Sequence, residues 1–440
     1  MVLPPGHRGT GARPDNDFVA AGERMPAAEV ARAAAQWRAF AASDVASSYP
    51  ASHFAGRGIV IGGGGLHYMV PAWAALRALR RANCTLPVEV WFPAGEAPPA
   101  GSGLEAALHD MGAAVRSTAE LAPGGGGEQL FRRYAFKAAA LLFSRFEQAL
   151  WLDADNVALR DPEAVVFASP AFQAAGLLLW RDHWNASAAP DAAAVLGLGA
   201  DAPMSRWTCE SGQLALNKRM AWQPALLALF FNLQGALYYR LLSSYMGAGD
   251  KETWPAAAAA LRRPAAWVSQ PPGAAGVPWP EGSAQEPKTV RSNAMLQHAP
   301  RDSGGGLLFV HSNYFKWDLE DVPLRLSHAG PDLAPPRRWR VMTPPGWDAE
   351  SAAMAEAAGE RTAWRPAAPA LRAAAGGADP EAGAWADLLA LRCAPWFDAY
   401  VAERRTRHGE LMPERLGGGQ PRVFKGVVLS EHAGGRYTGQ

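Results

Sequence analysis

The sequence predicts an α/β fold in which a central sheet is flanked by helices. Short apolar runs rich in β-branched and aromatic residues alternate with longer segments whose apolar residues recur every three or four positions. This alternation is typical of a sheet whose strands are joined by packed helices. Acidic or basic residues directly follow two of the apolar runs, and open α/β sheets bind their ligands beyond the ends of strands.

The first elements of this fold are predicted in the N-terminal part of the chain. Apolar residues spaced three and four apart predict helices over 27–42 and 70–82. Short apolar runs predict strands over 58–61 and 87–92. The resulting order of strand, helix and strand begins an α/β sheet.

The later elements follow the same rules, with one long interruption. Proline, glycine and alanine dominate the segments that we predict to lack regular structure. The predicted elements are a helix over 131–148, strands over 149–152, 174–180, 213–216 and 307–311, a helical segment over 221–264 and a loop over 265–305.

The composition excludes several classes of function. The 440 residues include 42 Lys and Arg and 41 Asp and Glu, so the formal net charge of +1 gives no long-range field that would favour nucleic acid or an anionic membrane. The 17 Trp and 16 Phe provide enough apolar surface to order the chain. The 3 Cys are too few and too widely spaced for a zinc knuckle or a disulfide framework. The sequence has neither an apolar run of about 18 residues nor the apolar core of a signal peptide, so we expect any membrane anchor to be missing from it.

Asp153 and Asp155 directly follow the apolar strand predicted over 149–152. Side chains two residues apart lie on the same side of an extended chain, so both carboxylates can reach one cation. Mg²⁺ and Mn²⁺ take oxygen ligands and are often held by one or two carboxylates together with the oxygens of a diphosphate. The pair therefore indicates a site for a metal and a diphosphate, and a solvated turn is the alternative.

His311 ends another predicted strand and is a candidate third ligand, provided that it lies near Asp155. Lys316 would then neutralise phosphate oxygens. A purely structural role for His311 remains open. The loop after the first strand, from Gly62 to Tyr68, lacks the Gly-Lys-Ser/Thr ending of a phosphate-binding loop, and we interpret it as a place for a nucleotide base.

Five motifs occur in a characteristic order, and together they resemble those of fungal-type α-mannosyltransferases of the MNN1/MNN2 kind, glycosyltransferase family 71. A more distant similarity is to glycogenin-like family 8 transferases. The motifs are Phe136-Lys137, residues 149–156 with Asp161-Pro162, residues 176–184, Glu210-Ser-Gly-Gln213 and residues 249–254.

The resemblance implies a single Rossmann-like nucleotide-sugar-binding domain of the GT-A type with a mixed central sheet. It implies three regions: an N-terminal stem over 1–55, the GT-A catalytic domain over 56–330 and a variable C-terminal region over 331–440. It also implies Mn²⁺ or Mg²⁺ as cofactor, GDP-mannose as donor, a glycan or glycoprotein acceptor, retention of the α configuration and a lumenal location at the Golgi membrane.

The same resemblance suggests roles for individual residues. The implied metal ligands are Asp153, Asp155 and His311, and the implied donor-binding residues are Lys137, Asp153 and Lys316. From the loop after the first strand we add Gly62 and Tyr68 as donor-binding residues. The carboxylates available for catalysis are Asp182, Glu210 and Asp250, and we expect them to bind donor or acceptor hydroxyls. Retention without a covalent intermediate lets the departing phosphate oxygen take the acceptor proton, whereas double displacement requires a carboxylate nucleophile. The sequence leaves both routes open.

Three other functions remain as alternatives. A retaining transferase of the family 8 type would use a UDP-sugar. A catalytically inactive GT-A protein would bind the donor without transferring the sugar. A metal-dependent phosphohydrolase would need further carboxylate or His clusters for a second metal, and the 10 His residues are scattered.

Overall fold

The computed structural model describes most of the chain between residues 24 and 312 and a helical segment near the C-terminus. The described residues are 24–121, 131, 134–185, 188–199, 207–243, 249–278, 290–312, 317, 339–342, 365–408 and 427–428. The strands are β1 Arg57–Gly62, β2 Val88–Phe92, β3 Ala113–Ser117, β4 Gln148–Leu152, β5 Asn156–Ala158, β6 Leu177–Asn185, β7 Trp207–Asn217, β8 Ala266–Val268, β9 Gly273–Pro278, β10 Val290–His298, β11 Leu307–His311, β12 Val341–Met342, β13 Arg365–Pro366 and β14 Val427–Val428. The helices are α1 Ala27–Ala41, α2 Asp44–Ser47, α3 Gly65–Arg81, α4 Gly103–Asp110, α5 Tyr134–Phe143, α6 Pro170–Ala175, α7 Ala192–Leu196, α8 Lys218–Leu233, α9 Gly235–Leu242, α10 Thr253–Ala260, α11 Ala367–Ala374, α12 Pro380–Arg392 and α13 Phe397–His408.

The first sheet has the strand order β3-β2-β1-β4-β7-β6-β8. Its first four strands are parallel, β7 runs antiparallel to both β4 and β6, and β8 is parallel to β6. The predicted α/β fold with a mixed central sheet flanked by helices is therefore confirmed.

Alternate residues of β1 show how helices cover both faces of this sheet. Ile59 and Ile61 pack into the same buried cluster as Leu76 of α3. Val60, between them, packs into a second cluster with Leu141 of α5 and residues of α8. Strands that are buried on both faces have continuous apolar sequences, which is why the run over 58–61 indicated a buried strand.

A second sheet, with the order β13-β12-β9-β10-β11-β5 and β14 paired to β10, was not predicted from the sequence. The prediction of a loop over 265–305 is wrong, because β8, β9 and β10 lie within that range. The buried positions here include small residues such as Ala274, Ala275 and Ala294. Alanine and glycine carry little strand propensity, so the pattern showed neither alternation nor β-branched enrichment.

Segments outside the central region pack onto the same core. Trp37 of α1 donates its indole N–H to the carbonyl oxygen of Val195, at 2.7 Å. Arg77 and Arg81 of α3 both pair with Asp387 of α12. The boundaries at 55 and 330 remain predictions.

Within the described part of the chain, no individual helix combines the length and apolar character that a membrane span requires. Helices α8 and α9 meet the requirement only when taken together, and a bend of 107° separates them.

Candidate functional site

Asp153 and Asp155 lie in the connection that leaves the first sheet at β4 and enters the second sheet at β5. The backbone N–H of Asn156 donates to the carbonyl oxygen of Asp153 at 3.0 Å, and the N–H of Asp153 donates to the carbonyl of Gly212 at 2.8 Å. The two carboxylates are therefore brought together by a turn. The extended geometry that we inferred from the sequence is wrong, although the side chains do converge.

His311 is brought to this turn by strand pairing. Strand β11 runs antiparallel to β5, with His311 opposite Asn156. The His311 Nε2 atom lies 3.3 Å from Asp155 Oδ1 and 3.8 Å from Asp153 Oδ2. One ligand atom from each of these three residues falls within 4.8 Å of the others. The condition placed on His311 by the sequence, proximity to Asp155, is thus met.

Lys137 fixes the other oxygen of Asp153. Its Nζ atom lies 2.9 Å from Asp153 Oδ1 and 3.5 Å from Asp250 Oδ1, and it donates to the carbonyl of Ser211 at 2.9 Å. The indole N–H of Trp151 also donates to Asp153 Oδ1, at 2.7 Å. Burial opposes the charge of the ammonium group, but Asp153 and Asp250 outweigh this effect and raise the pKa of Lys137. Asp153 therefore turns Oδ1 toward Lys137 and Oδ2 toward His311.

Glu210 lies on the opposite side of the His311 ring. Its Oε1 atom is 3.2 Å from His311 Nδ1 and accepts the backbone N–H of Gly212 at 2.6 Å. Against the opposing effect of burial, Glu210 and Asp155 raise the pKa of His311 to about 10. The same pairing, again opposed by burial, lowers the pKa of Glu210 to about 2. The electrostatic environment of this cluster thus favours a positive charge.

Gly212 makes the close packing of His311 possible. A Cβ atom at this position would lie 2.4 Å from both Nδ1 and Cε1 of the His311 ring and 2.7 Å from Glu210 Oε1. Real Cβ contacts are not this short, so any other residue at position 212 would displace the ring.

A second group of charged side chains, the lysine cluster, contains Asp182, Lys251 and Glu252. The Lys251 Nζ atom lies 2.8 Å from Asp182 Oδ2 and 3.8 Å from Glu252 Oε1. Although burial opposes it, these carboxylates raise the pKa of Lys251. Burial itself raises the pKa of Glu252 to about 7. We predicted a role for Asp182 but overlooked its partner Lys251. Two signals in the sequence could have indicated Lys251: an acidic residue on a buried strand needs a positively charged partner, and Lys251 stands in the sequence Asp-Lys-Glu.

The remaining predicted residues occupy different positions around the site. Asp250 is buried and accepts the indole N–H of Trp254 at 3.3 Å. Gly62 ends β1, where a Cβ atom would lie 3.2 Å from the ring of Trp151. Tyr68, in the first turns of α3, is 49% exposed. Lys316 lies outside the described residues.

The chemistry of Asp153, Asp155 and His311 fits a divalent cation. Two carboxylate oxygens and one imidazole nitrogen are ligands that Mn²⁺ and Mg²⁺ accept, and three protein ligands leave further positions for the oxygens of a substrate. The side chain of Asp153 is 28% exposed, so the cluster is open on one side.

The sequence of this chain matches the model of the mannosyltransferase family Mannosyl_trans3 over residues 56–203 and 199–299. It is 30% identical to the α-1,2-mannosyltransferase MNN2 of Saccharomyces cerevisiae over 246 residues, which cover 48% of this chain and 41% of that protein. It is 32% identical to the α-1,2-mannosyltransferase MNN22 of Candida albicans over 165 residues, covering 30% of this chain and 28% of that protein. The matched segment thus spans less than half the length of these relatives.

Solved structures of glycosyltransferases show a weaker similarity. The galactosyltransferase LgtC, in complex with donor and acceptor sugar analogues, is 12% identical with a TM-score of 0.31, covering 48% of this chain and 73% of that chain. The glycosyltransferase GlyE of Streptococcus pneumoniae is 15% identical with a TM-score of 0.30, covering 45% of this chain and 42% of that chain. The family match extends over more than half of the residues. The chain belongs to the mannosyltransferase family Mannosyl_trans3.

Proposed function

We propose that this protein is a metal-dependent glycosyltransferase that transfers mannose from GDP-mannose to a mannoside of a glycan, with retention of the α configuration. The observation that carries the proposal is the convergence of Asp153, Asp155 and His311 within 4.8 Å in a chain of a mannosyltransferase family. The α-1,2-mannosyltransferases of two fungi among its relatives support mannose as the sugar. The resemblance to family 71 enzymes supports a reaction in the Golgi lumen.

Asp155 and His311, together with Oδ2 of Asp153, would hold Mn²⁺ or Mg²⁺. When bound, such a cation offsets the negative charge that develops on a departing diphosphate. Lys137 holds Asp153 in place through its other oxygen. The proposed donor site extends from Gly62 to the exposed ring of Tyr68, because β1 ends next to β4 in the sheet.

The buried carboxylates favour one of the two retaining routes. Asp182 is paired with Lys251 at 2.8 Å, and Asp250 lies 3.5 Å from Lys137. A carboxylate bound to a lysine is a weakened nucleophile, so we assign both groups to binding sugar hydroxyls. In the reaction, the bond from the anomeric carbon to phosphate oxygen breaks, the bond to the acceptor oxygen forms on the same face, and the acceptor proton passes to the departing phosphate oxygen.

A thermal-shift panel of GDP-mannose, UDP-glucose, UDP-galactose and UDP-GlcNAc, each with and without Mn²⁺, tests the donor. A ligand that binds only the native state raises its apparent stability, and we expect the largest rise with GDP-mannose plus Mn²⁺. A rise with UDP-sugars alone would rule out mannosyl transfer. A rise with GDP-mannose in the absence of any transfer to mannoside acceptors would indicate an inactive binding protein.

Replacement of Asp155 tests the metal assignment. We expect Asp155→Ala to lower Mn²⁺-dependent transfer of mannose by about a thousandfold, because a lost ligand removes several kcal/mol of charge stabilisation. The matched control is Asp110→Ala, which removes an exposed carboxylate at the end of α4. Unchanged turnover in Asp155→Ala would contradict the metal site.

A further inference from the structure

We infer that Glu210 is a positioning residue that orients His311 toward the cation and does not itself bind the sugar. This inference rests on the proposed metal site and adds a role that the sequence did not indicate, since the sequence suggested Glu210 as a carboxylate for catalysis or hydroxyl binding. It is carried by the arrangement of charged groups on the two sides of the imidazole ring.

The two nitrogens of His311 face different partners. Nδ1 is 3.2 Å from Glu210 Oε1, whereas Nε2 is 3.3 Å from Asp155 Oδ1 and 3.8 Å from Asp153 Oδ2. An imidazole that donates its Nδ1–H to a carboxylate presents the lone pair of Nε2 on the opposite side of the ring. Histidines that bind metals commonly have such a partner on their other nitrogen, which selects the tautomer and raises the basicity of the ligand.

Glu210 is suited to this task because it is itself held in place. It is buried in β7, and its Oε1 atom accepts the backbone N–H of Gly212 at 2.6 Å. The missing Cβ of Gly212 lets the His311 ring lie against that backbone. The backbone of β7 thus holds the carboxylate 3.2 Å from Nδ1 of His311, and we assign the orientation of the ring to this contact.

The other two carboxylates suggested for catalysis differ in their partners. Asp182 faces the ammonium group of Lys251, and Asp250 lies near that of Lys137. Glu210, by contrast, has its Oε1 atom 3.2 Å from Nδ1 of His311. Its influence on the reaction would therefore pass through the imidazole.

The test is to measure binding of Mn²⁺ alone by isothermal titration calorimetry, without donor or acceptor, to the full chain. We expect Glu210→Gln, which keeps an acceptor oxygen but loses the charge, to weaken Mn²⁺ binding by about tenfold. Glu210→Ala, which loses both, should weaken it by about a hundredfold. The control is Glu89→Gln, which removes a buried carboxylate of β2 outside the candidate site, and it should change the dissociation constant by less than about twofold.

A second readout follows the tautomer of His311 directly. The method is NMR of protein labelled with ¹⁵N-histidine, in which the signal that disappears in His311→Gln identifies His311. In Zn²⁺-loaded protein, this signal should have the pattern of an imidazole that carries its proton on Nδ1 and binds the metal through Nε2. Glu210→Gln should broaden or split that signal. A merely structural role for Glu210 would leave it unchanged.

The outcomes separate the inference from the proposed function. Equal Mn²⁺ affinity in the wild type and in Glu210→Gln would overturn the positioning role and leave the metal site intact. No binding of Mn²⁺ to the wild type would overturn the metal assignment and this inference with it. Circular dichroism of each variant identifies a loss that comes from unfolding, and the conservative glutamine variant provides the decisive comparison if the alanine variant does not fold.

Discussion

His311 and His298 lie in two paired strands of the second sheet and are each 5% exposed, yet their pKa values are shifted in opposite directions. Burial opposes the charged form of both. At His311, Glu210 and Asp155 outweigh burial and raise the pKa to about 10. At His298, burial acts together with the positive charges of Arg301 and Arg160 and lowers the pKa to about 4.

This difference shows that burial does not determine what a histidine can do in this fold; its charged neighbours do. His298 pairs with Leu307, and His311 pairs with Met295, so the two positions are about 10 Å apart along the same ladder. His311, at one end of the β10–β11 pair, therefore has acidic neighbours, and His298, toward the other end, has basic ones. The acidic end is the one that meets the turn of Asp153 and Asp155.

Replacing each of the two histidines with glutamine tests this comparison directly and has the largest expected effect. His311→Gln should lower the proposed metal-dependent transfer of mannose by about a thousandfold, because it would remove one of the three proposed ligands of the cation. His298→Gln should leave the rate within about twofold. Steady-state kinetics with saturating Mn²⁺ measures both, and a similar loss in the two variants would show that the contrast between them has no functional meaning.

A smaller effect is expected when the ring of His311 is displaced but not removed. Gly212→Ala places a Cβ atom 2.4 Å from the ring, so the imidazole must move. Displacements of about 1 Å in an active site can cost about a hundredfold in rate, and we expect a loss of about ten- to a hundredfold. The control is Gly199→Ala, where an added Cβ meets nothing within 4 Å. If Gly212→Ala retained full activity, close packing of the ring would not be required.

The smallest expected effect is on the free energy of unfolding at low pH, and it concerns His298 alone. Its pKa falls from an ordinary 6.5 to about 4 in the folded protein, so the unfolded chain takes up the proton first as the pH falls. The contribution of neutral His298 is therefore complete above pH 6.5 and is lost progressively toward pH 4, by about 1–3 kcal/mol in total.

Urea unfolding at pH 7, 5.5 and 4.5 should show that His298→Gln loses less stability on acidification than the wild type does. Because the carboxylates titrate in both proteins, the difference between the two isolates this histidine. The exposed His53, replaced by glutamine, is the control. Parallel curves for the wild type and His298→Gln would contradict the shifted pKa.

Five of the seven strands of the first sheet could be predicted, namely β1, β2, β4, β6 and β7, because buried strands have recognisable apolar runs. The acid pair and His311 could be located as well, because ligands collect at the ends of such strands. The second sheet could not, since several buried positions of β9 and β10 are alanine or glycine. Contacts between residues that are far apart in the chain could not be predicted from the sequence either. Lys251 reaches Asp182 from the turn that precedes α10, and His311 reaches Glu210 from a strand of the other sheet, so no local pattern encodes either contact.

The turn between β4 and β5 joins the first sheet to the second. Asp153 follows a strand of the first sheet, and His311, which lies close to it, ends a strand of the second. A cation bound by both residues would link the two sheets to each other. Any sliding of one sheet against the other would change the distance between its ligands. The affinity for the metal would therefore depend on how the two sheets are aligned. Metal binding would in return stabilise the alignment that it requires.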